Sequence, residues 1–220
     1  SVPGNEDHLG LFAKTSPHLV ISPSEHTVGR RYLQKIGCEY SDRFVCFCMR
    51  DSKYLGTLGG QRDSQRFQYH QYRDVDIDLY EEAALALAER GYWVFRMGKI
   101  VEKPFKVNHP KVVDYATSVD RCDFLDVWLM ANCFFCVSTS LGIDAVAEAF
   151  RRPLCVVDFL PLNNIKFGQW GITTPKRLVW RSTGKNLTVP EYLDHGYRDS
   201  GLYEKNGIEI SNLSPQELTE

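Results

Sequence analysis

Residues 123–150 read DFLDVWLMANCFFCVSTSLGIDAVAEAF, which contains a helix, a buried strand, a polar turn and a second helix in one stretch. Apolar side chains recur at helical spacing over 123–133, and 134–137 is a short apolar run typical of a strand buried on both faces. Hydroxyl residues and a glycine fill 138–142, and small residues then sit beside apolar ones over 143–150. This pattern predicts one unit of an α/β protein with a parallel sheet.

The turn at 138–142 is a candidate binding site for a phosphate group. Where a strand leads through small hydroxyl residues into a helix, free backbone N–H groups and the positive end of the helix dipole face the same point. Serine and threonine are also ordinary helix caps, so the turn by itself fits a structural role better. Its predicted ligand-binding members are Ser138, Thr139, Ser140 and Gly142.

The composition is that of a globular protein. The chain has 220 residues, of which 43% are hydrophobic and 25% charged, so it can bury one good core. Its formal net charge of −2 gives no electrostatic reason to expect nucleic acid as a partner. No apolar run approaches the roughly 20 residues of a membrane span. Residues 1–10 lack the features of a signal peptide, so we expect a cytoplasmic location.

The seven cysteines are an odd number, and most lie in apolar contexts where cysteine behaves as a small hydrophobe. Cys133 and Cys136 form a CxxC pair, but it spans a predicted helix end and a strand, with no second CxxC or histidine pair nearby. We therefore expect buried, reduced thiols in a reducing compartment and no metal site.

The rest of the chain repeats the alternation of apolar strands and helices. Strands are predicted at 44–49, 92–95, 111–113, 134–137 and 153–157, with 178–180 as a further candidate, and helices at 24–36, 77–90, 123–133 and 143–150. Apolar strands separated by helices predict a Rossmann-like α/β fold, with an open, mostly parallel sheet and helices on both faces.

Three parts are predicted along the chain. Residues 1–43 are an extended connector followed by an amphipathic helix that Ser24 caps, and 44–182 are the Rossmann-like domain. Residues 183–220 are a C-terminal tail with short helices at 190–195 and 214–220.

The long polar segment 55–78 has no apolar periodicity, and a loop of this length in a compact domain is usually functional or disordered. Aromatic and basic residues alternate through it, which favours a functional role. His70 and Arg73 are its candidate catalytic residues. A lone loop histidine is by default a solvated side chain, so the case for His70 depends on its neighbours Tyr72, Arg73 and Asp74.

Charged or polar residues follow the predicted strands where parallel strands share an edge. These residues are Arg50 and Asp51 after the first strand, Arg96 and Gly98 after the second, and Asp114 and Tyr115 after the third. With the turn at 138–142 they are expected to line one crevice. Two arginines and a helix N-terminus suit a diphosphate, and a carboxylate with an aromatic ring suits a ribose or a base.

Each residue also has a structural alternative. Arg50 and Asp51 can form ion pairs at the sheet edge, Arg96 can pair with a carboxylate, and Asp114 can cap the segment after it. Asp144, in the first turn of a predicted helix, is explained by compensation of the helix dipole. The glycines form neither GxGxxG nor GxxxxGK[ST], so the signatures of dinucleotide binding and of P-loop ATP hydrolysis are missing.

Five stretches together resemble a family of bacterial glycosyltransferases found with surface polysaccharide genes. They are VCFCMRDSKY, HQYRDVDIDLY, GYWVFRMG, VVDYA and DFLDVWLMANCFFCVSTSLG, in that order over residues 44–161. The resemblance implies the C-terminal, donor-binding half of the GT-B architecture, in which two Rossmann-like domains face each other across a cleft. It implies that 44–182 binds a nucleotide sugar. It also implies an N-terminal acceptor domain that the 43 residues before the first strand cannot supply.

The chain is more faintly similar to α1,6-fucosyltransferases that use GDP-fucose. In those enzymes an arginine after the first strand of this half and a Ser/Thr-rich turn bind the diphosphate, and these roles would fall on Arg50 and on 138–140. Those enzymes have a histidine two positions before the arginine and a second arginine after it, where this chain has Cys48 and Asp51. The similarity therefore implies a nucleotide sugar, with GDP as one possible carrier.

Together the residues and the resemblance predict a metal-independent glycosyltransferase domain. Its co-substrate would be a nucleoside-diphosphate sugar and its acceptor a saccharide, in surface polysaccharide or glycan synthesis, with no further cofactor. Arg50, assisted by Arg96 or Arg73, would neutralise charge growing on the departing diphosphate. Asp51, Asp74 and His70 are candidate bases for the acceptor hydroxyl, and the sequence does not choose among them.

Two alternatives stay open. The chain can be a non-catalytic nucleotide- or anion-binding module of a larger enzyme. It can also be a pyruvyl or phosphoryl transferase that acts on a polysaccharide precursor, although the missing P-loop disfavours a form that uses ATP.

Overall fold

The computed structural model describes residues 10–51, 53, 68–165 and 171–220. A six-stranded sheet is built from β1 (Phe44–Cys48), β2 (Trp93–Arg96), β3 (Val112–Val113), β4 (Phe135–Ser138), β5 (Leu154–Phe159) and β6 (Gly171–Pro175). The strands are all parallel and lie in the order β3-β2-β1-β4-β5-β6. The prediction of a Rossmann-like α/β fold with a parallel sheet is confirmed.

The described helices are mostly short. They are α1 (Leu11–Lys14), α2 (Pro23–Lys35), α3 (Glu81–Glu89), α4 (Asp123–Asn132), α5 (Asp144–Ala149), α6 (Val189–Asp194), α7 (Ser200–Lys205) and α8 (Pro215–Thr219). Short 3₁₀ helices lie at Gln68–Arg73, Ile77–Tyr80, Tyr115–Thr117 and Leu162–Asn164. None of the helices in these ranges is long and apolar enough to cross a membrane.

Alternation along β1 explains why helices cover both faces of the sheet. Phe44, Cys46 and Cys48 are buried in the core that contains residues of α2 and α4. Val45 and Phe47 are buried on the other face, in the core that contains residues of α3. Because both faces are apolar, the strand reads as a continuous apolar run rather than an alternating one.

Helix α2 begins at Pro23, one residue before the predicted start, and Ser22 caps it instead of Ser24. The N–H of Glu25 donates to Ser22 Oγ (3.3 Å), and the N–H of Ser22 donates to Glu25 Oε2 (2.7 Å), which completes a capping box. The predicted cap is wrong because Pro23, which needs no N–H partner, already occupies the first helical position.

Two other helix predictions need correction. The segment 77–90 is not one α-helix, since Ile77–Tyr80 is a 3₁₀ turn with Asp76 as its cap and α3 starts only after it. The connector 11–23 is not extended throughout, because it contains the single turn of α1. The short helices predicted at 190–195 and 214–220 are present as α6 and α8.

The C-terminal residues form a second, two-stranded antiparallel sheet from β7 (Arg177–Trp180) and β8 (Ile208–Ser211). The candidate strand at 178–180 is therefore a strand, but not of the main sheet, and β6, β8 and α7 were not predicted. The two strands lie on either side of the predicted boundary at 182, and the division into domains stays a prediction. Leu178 and Ile208 of this sheet share a core with Tyr72 and Leu160 of the main part.

Candidate functional site

The strand order changes direction at β1. From β1 the chain continues outward through β2 to β3, and then returns to form β4 on the other side of β1. In open parallel sheets such a switch point leaves a crevice beyond the carboxyl ends of the two central strands. Here those ends lead into Arg50 and into the turn at 138–142.

Hydrogen bonds within the chain occupy most polar groups of this turn. Ser138 Oγ donates to Asp144 Oδ1 (2.7 Å) and accepts the N–H of Ser140 (3.0 Å). The N–H of Leu141 donates to Asp144 Oδ2 (2.7 Å). The expected free N–H groups are therefore not found at Ser140 and Leu141, because a side chain of the fold already accepts from each of them.

Gly142 and Ile143 keep unused donors. Their N–H groups have no partner within the part of the chain that the structure describes. Gly142 is exposed and borders open space. The buried carboxylate of Asp144 lies at the start of α5, where it complements the helix dipole. An anion at this turn would meet two N–H donors and one fixed negative charge.

Arg50 ties the end of β1 to the turn and to the segment after Gln68–Arg73. Its N–H donates to Thr139 Oγ1 (2.8 Å), and its Nε donates to Asp74 Oδ1 (3.1 Å). Its carbonyl accepts the N–H of Val75 (3.0 Å). The side chain is 11% exposed, and among the described residues Nη1 and Nη2 have no partner. These two nitrogens are available to a ligand.

Arg73 contacts the same turn at Ser140. Its Nη2 donates to the carbonyl of Ser140 and lies 3.5 Å from Ser140 Oγ. Burial, and then the positive charge of Arg50, lower the pKa of Arg73. Two guanidinium groups close enough to disfavour one another's charge are stabilised when an anion lies near both. The structure thus brings together the predicted residues Arg50, Arg73 and the turn.

Two further charged residues lie close to this group and carry no sequence motif. Lys176 follows β6, is 2% exposed, and donates from Nζ to the carbonyl of Asp74 (2.6 Å). Asp158, buried in β5, accepts the hydroxyl of Tyr80 (2.5 Å) and the N–H of Leu213 (2.8 Å). Asp158 directly follows the predicted strand 153–157, and this position was the one feature of the sequence that could have indicated it. Nothing local distinguishes Lys176 from a surface lysine.

Arg96, the last residue of β2, and Asp114, the residue after β3, form a buried ion pair. Arg96 is 1% exposed, and its Nη1 donates to Asp114 Oδ1 (3.0 Å) and its Nη2 to the carbonyl of Lys103 (3.3 Å). Asp114 Oδ2 accepts the N–H of Phe105 (3.0 Å) and the hydroxyl of Thr117 (2.7 Å). The geometry therefore favours the structural alternative for both residues. It gives no support to their predicted contacts with a ligand, which stay predictions.

Tyr115 is buried and Gly98 is partly buried. Tyr115 is fully buried, and its hydroxyl exchanges hydrogen bonds with the N–H (3.1 Å) and carbonyl (3.2 Å) of Cys122. At Gly98 a Cβ would lie 2.5 Å from Val101 Cγ1, so close packing accounts for the glycine. Their predicted roles toward a ribose, base or diphosphate likewise find no support in this geometry.

The candidate bases differ in what surrounds them. Asp51 accepts the N–H of Lys53 (3.0 Å) and of Glu102 (3.2 Å), one at each carboxylate oxygen. Asp74 is paired with Arg50, and burial raises its pKa. The side chain of His70 lies outside the described residues, as does 54–67, most of the predicted functional loop.

Comparison with known proteins adds little to this geometry. No family model and no curated protein matches the chain. The chain is similar in structure to the E. coli ADP-heptose LPS heptosyltransferase II, with 18% sequence identity and a TM-score of 0.48. The match covers 86% of this chain and 52% of the heptosyltransferase, so the chain spans about half the length of that protein. At this level of likeness no activity can be inferred from it.

Three potential metal ligands lie beneath the turn. Donor atoms of Cys48, Cys136 and Asp144 are all within 4.8 Å of one another, and the two sulfurs are 3.7 Å apart. A hydrogen bond with Cys48, and then burial, raise the pKa of Cys136, which opposes the thiolate that a metal requires. Asp144 already accepts two hydrogen bonds, so proximity is the only feature here that suggests a metal.

The arrangement at the switch point can bind an anion. Arg50 offers two nitrogens, Arg73 lies beside it, and Gly142 and Ile143 offer N–H donors at the end of β4. Asp74 and Asp144 balance part of the positive charge, so the two arginines and the N–H groups act through directed hydrogen bonds as well as through net charge.

Proposed function

We propose that the chain is the donor-binding part of a glycosyltransferase that takes its sugar from a nucleoside-diphosphate sugar. The observation that carries the proposal is the convergence of Arg50 and Arg73 on the turn at 138–142, at the switch point of a Rossmann-like sheet. The resemblance of the five sequence stretches supports a saccharide acceptor in surface polysaccharide or glycan synthesis. It also makes GDP one of the carriers to test.

In this proposal the arginines act on the leaving group. As the bond between sugar and diphosphate breaks, negative charge grows on the β-phosphate. The free Nη atoms of Arg50 and the guanidinium of Arg73 stabilise that charge in a partly buried site, where electrostatic interactions are stronger than in water. The N–H groups of Gly142 and Ile143 hold the diphosphate in place. This scheme requires no metal ion.

The base that accepts the proton of the acceptor hydroxyl is less well defined. Asp51 has both carboxylate oxygens engaged by backbone N–H groups, and Asp74 is engaged by Arg50. His70 stays in the proposal on the sequence argument alone. In the GT-B arrangement that the resemblance implies, the acceptor faces the donor site from another domain, which can supply groups of its own.

The test is a thermal-shift panel with GDP, UDP, ADP, TDP and CMP, with and without magnesium. A nucleotide present at 100 times its Kd adds roughly 2.7 kcal/mol to stability, which raises Tm by several degrees. We expect one nucleoside diphosphate to raise Tm, independently of magnesium, and Arg50→Ala to lose most of the shift.

Arg181→Ala is the matched control. Arg181 forms an exposed ion pair with Glu204 (3.7 Å) in the C-terminal part, and such pairs contribute little to stability. The control should keep the full ligand shift. No shift with any nucleotide for the unmodified chain, or a full shift for Arg50→Ala, would reject a donor site at Arg50.

A non-catalytic nucleotide-binding module is the second candidate. The observation in its favour is that the described candidate bases, Asp51 and Asp74, both have partners within the chain. Both candidates predict nucleotide binding, so turnover separates them. Release of the nucleoside diphosphate from its sugar, with water or a saccharide as acceptor, supports the transferase. Tight binding without any release supports the module.

A further inference from the structure

The buried amine of Lys176 lies behind the candidate site and not in it. Lys176 follows the last residue of β6, and its Nζ donates to the backbone carbonyl of Asp74 at 2.6 Å. It is 2% exposed, and buried lysines are rare unless a partner compensates the loss of hydration. The fold therefore holds a cation where a ligand cannot reach it. This cation is hydrogen-bonded to Asp74, which in turn accepts a hydrogen bond from Arg50.

Residues 73–75 form the connection between Lys176 and the site. Arg73 donates to the carbonyl of Ser140, Asp74 accepts from Arg50 Nε, and the N–H of Val75 donates to the carbonyl of Arg50 at 3.0 Å. Lys176 holds the middle of these three residues through its carbonyl. Moving Asp74 would therefore move the carboxylate that orients Arg50.

We propose that Lys176 is a positioning residue of the anion site, which fixes Asp74 and through it the guanidinium group of Arg50. This inference rests on the proposed function, since the ligand is the diphosphate assigned there. Lys176 is not a catalytic residue, because its Nζ is engaged by a backbone carbonyl and faces the interior. Its effect on the ligand passes through Asp74 and Arg50.

The charges around Lys176 give a readout that plain packing would not. Asp74 and Asp158 face it, Arg50 pairs with Asp74, and Tyr80 donates to Asp158. Burial lowers the pKa of Lys176 to about 8, against the opposing effect of the two carboxylates. When the amine loses its proton, Asp74 competes more strongly for Arg50, and less positive charge remains for an anion. Ligand affinity should therefore fall as the pH rises through 8.

The experiment measures Kd by isothermal titration, with whichever of GDP, UDP, ADP and TDP gives the largest thermal shift. The variants are Lys176→Met, Arg50→Met, the double variant, and Lys185→Met as control, since Lys185 is an exposed lysine of the same C-terminal segment. We expect Lys176→Met to weaken binding on the order of tenfold. The double variant should bind no more weakly than Arg50→Met, because the lysine acts through the arginine.

The pH profile completes the test. Affinity of the unmodified chain and of Lys185→Met should fall between pH 7 and 9.5, and affinity of Lys176→Met should stay level. Unchanged affinity in Lys176→Met, a level profile in the unmodified chain, or losses that multiply in the double variant would each overturn the positioning role. If Lys176→Met does not fold, the profile of the unmodified chain decides.

Failure of the proposed function has a different signature. If no nucleotide binds the unmodified chain, the donor site is rejected. The positioning role of Lys176 is then tested by the stability of the protein without ligand. Tm is then compared for Lys176→Met or Lys176→Gln, Arg50→Met and the double variant. If the decreases in Tm of the two single variants do not add in the double variant, the two side chains depend on one another through Asp74. Decreases that add overturn the inference.

Discussion

Burial of Lys176 disfavours the charged form of its amine. Its pKa lies at about 8 because of burial, against an ordinary value of 10.5. The folded chain therefore releases this proton at a lower pH than the unfolded chain, and the residue's contribution to stability rises as the pH increases from 8 to 10.5. The free energy of unfolding in urea should be compared for the unmodified chain and Lys176→Met. Between pH 8 and 10.5 that of the unmodified chain should rise, relative to that of Lys176→Met, by on the order of 3 kcal/mol. A difference that is independent of pH would contradict the assignment.

At the residue scale the sequence singled out two arginines that the structure brings to one turn, but it did not show which residues hold them there. Arg50 and Arg73 were predicted, because a charged residue directly after an apolar strand and a basic residue in a long polar segment are local patterns. Lys176 was missed because its partner, Asp74, is 102 residues away in the chain. Asp144 was assigned to the helix dipole alone, whereas it also accepts from Ser138 and Leu141.

At the scale of elements, the contact between α2 and α4 depends on a glycine. A Cβ at Gly29 would lie 2.1 Å from the ring of Trp128. Alanine in place of glycine usually stabilises a helix by about 0.5–1 kcal/mol. Here we expect Gly29→Ala to destabilise the chain by about 1–3 kcal/mol, because the two helices must move apart. Denaturant unfolding measures it, with Gln34→Ala on the exposed face of α2 as control. Equal or higher stability of Gly29→Ala would show that the ring moves aside freely.

The start of α2 allows a second comparison at this scale. Ser22→Ala removes the hydroxyl that accepts the N–H of Glu25 and should destabilise the chain by about 1 kcal/mol. Ser24→Ala, at the cap predicted from the sequence, should change stability by a few tenths of a kcal/mol at most, since Ser24 lies inside the helix and caps nothing. Thermal unfolding of the two variants decides, and the reverse order would restore the original prediction.

The sequence predicted elements well where burial makes them apolar. The strands of the sheet centre, β1, β2, β4 and β5, were found within two residues of their ends because their runs are continuous and apolar. Strand β6 (GITTP) was missed because it is largely exposed and polar, and β8 because it is only four residues long, although its apolar and polar residues alternate. The pairing of β7 with β8 is a long-range choice that no local pattern contains.

For the whole molecule, the core that the C-terminal sheet shares with Tyr72 and Leu160 predicts that both sheets unfold together. Leu178 of β7 is fully buried beside Tyr72, which lies next to Arg73, and beside Leu160. We expect Leu178→Ala to destabilise the chain by about 3 kcal/mol and the whole chain still to unfold in one transition. Far-ultraviolet circular dichroism and tryptophan fluorescence should give the same lowered midpoint. Two separate transitions would show that the C-terminal sheet unfolds independently.

The buried carboxylate of Asp144 has a consequence for the lifetime of any complex. By accepting from Ser138 and Leu141 it does part of what a phosphate would do, so the chain's own hydrogen bonds order the turn. A preformed turn requires little ordering on binding, which favours fast capture. The same negative charge repels the bound anion and so hastens its escape. An ordered turn that carries this negative charge therefore predicts fast exchange of any anion that binds to it.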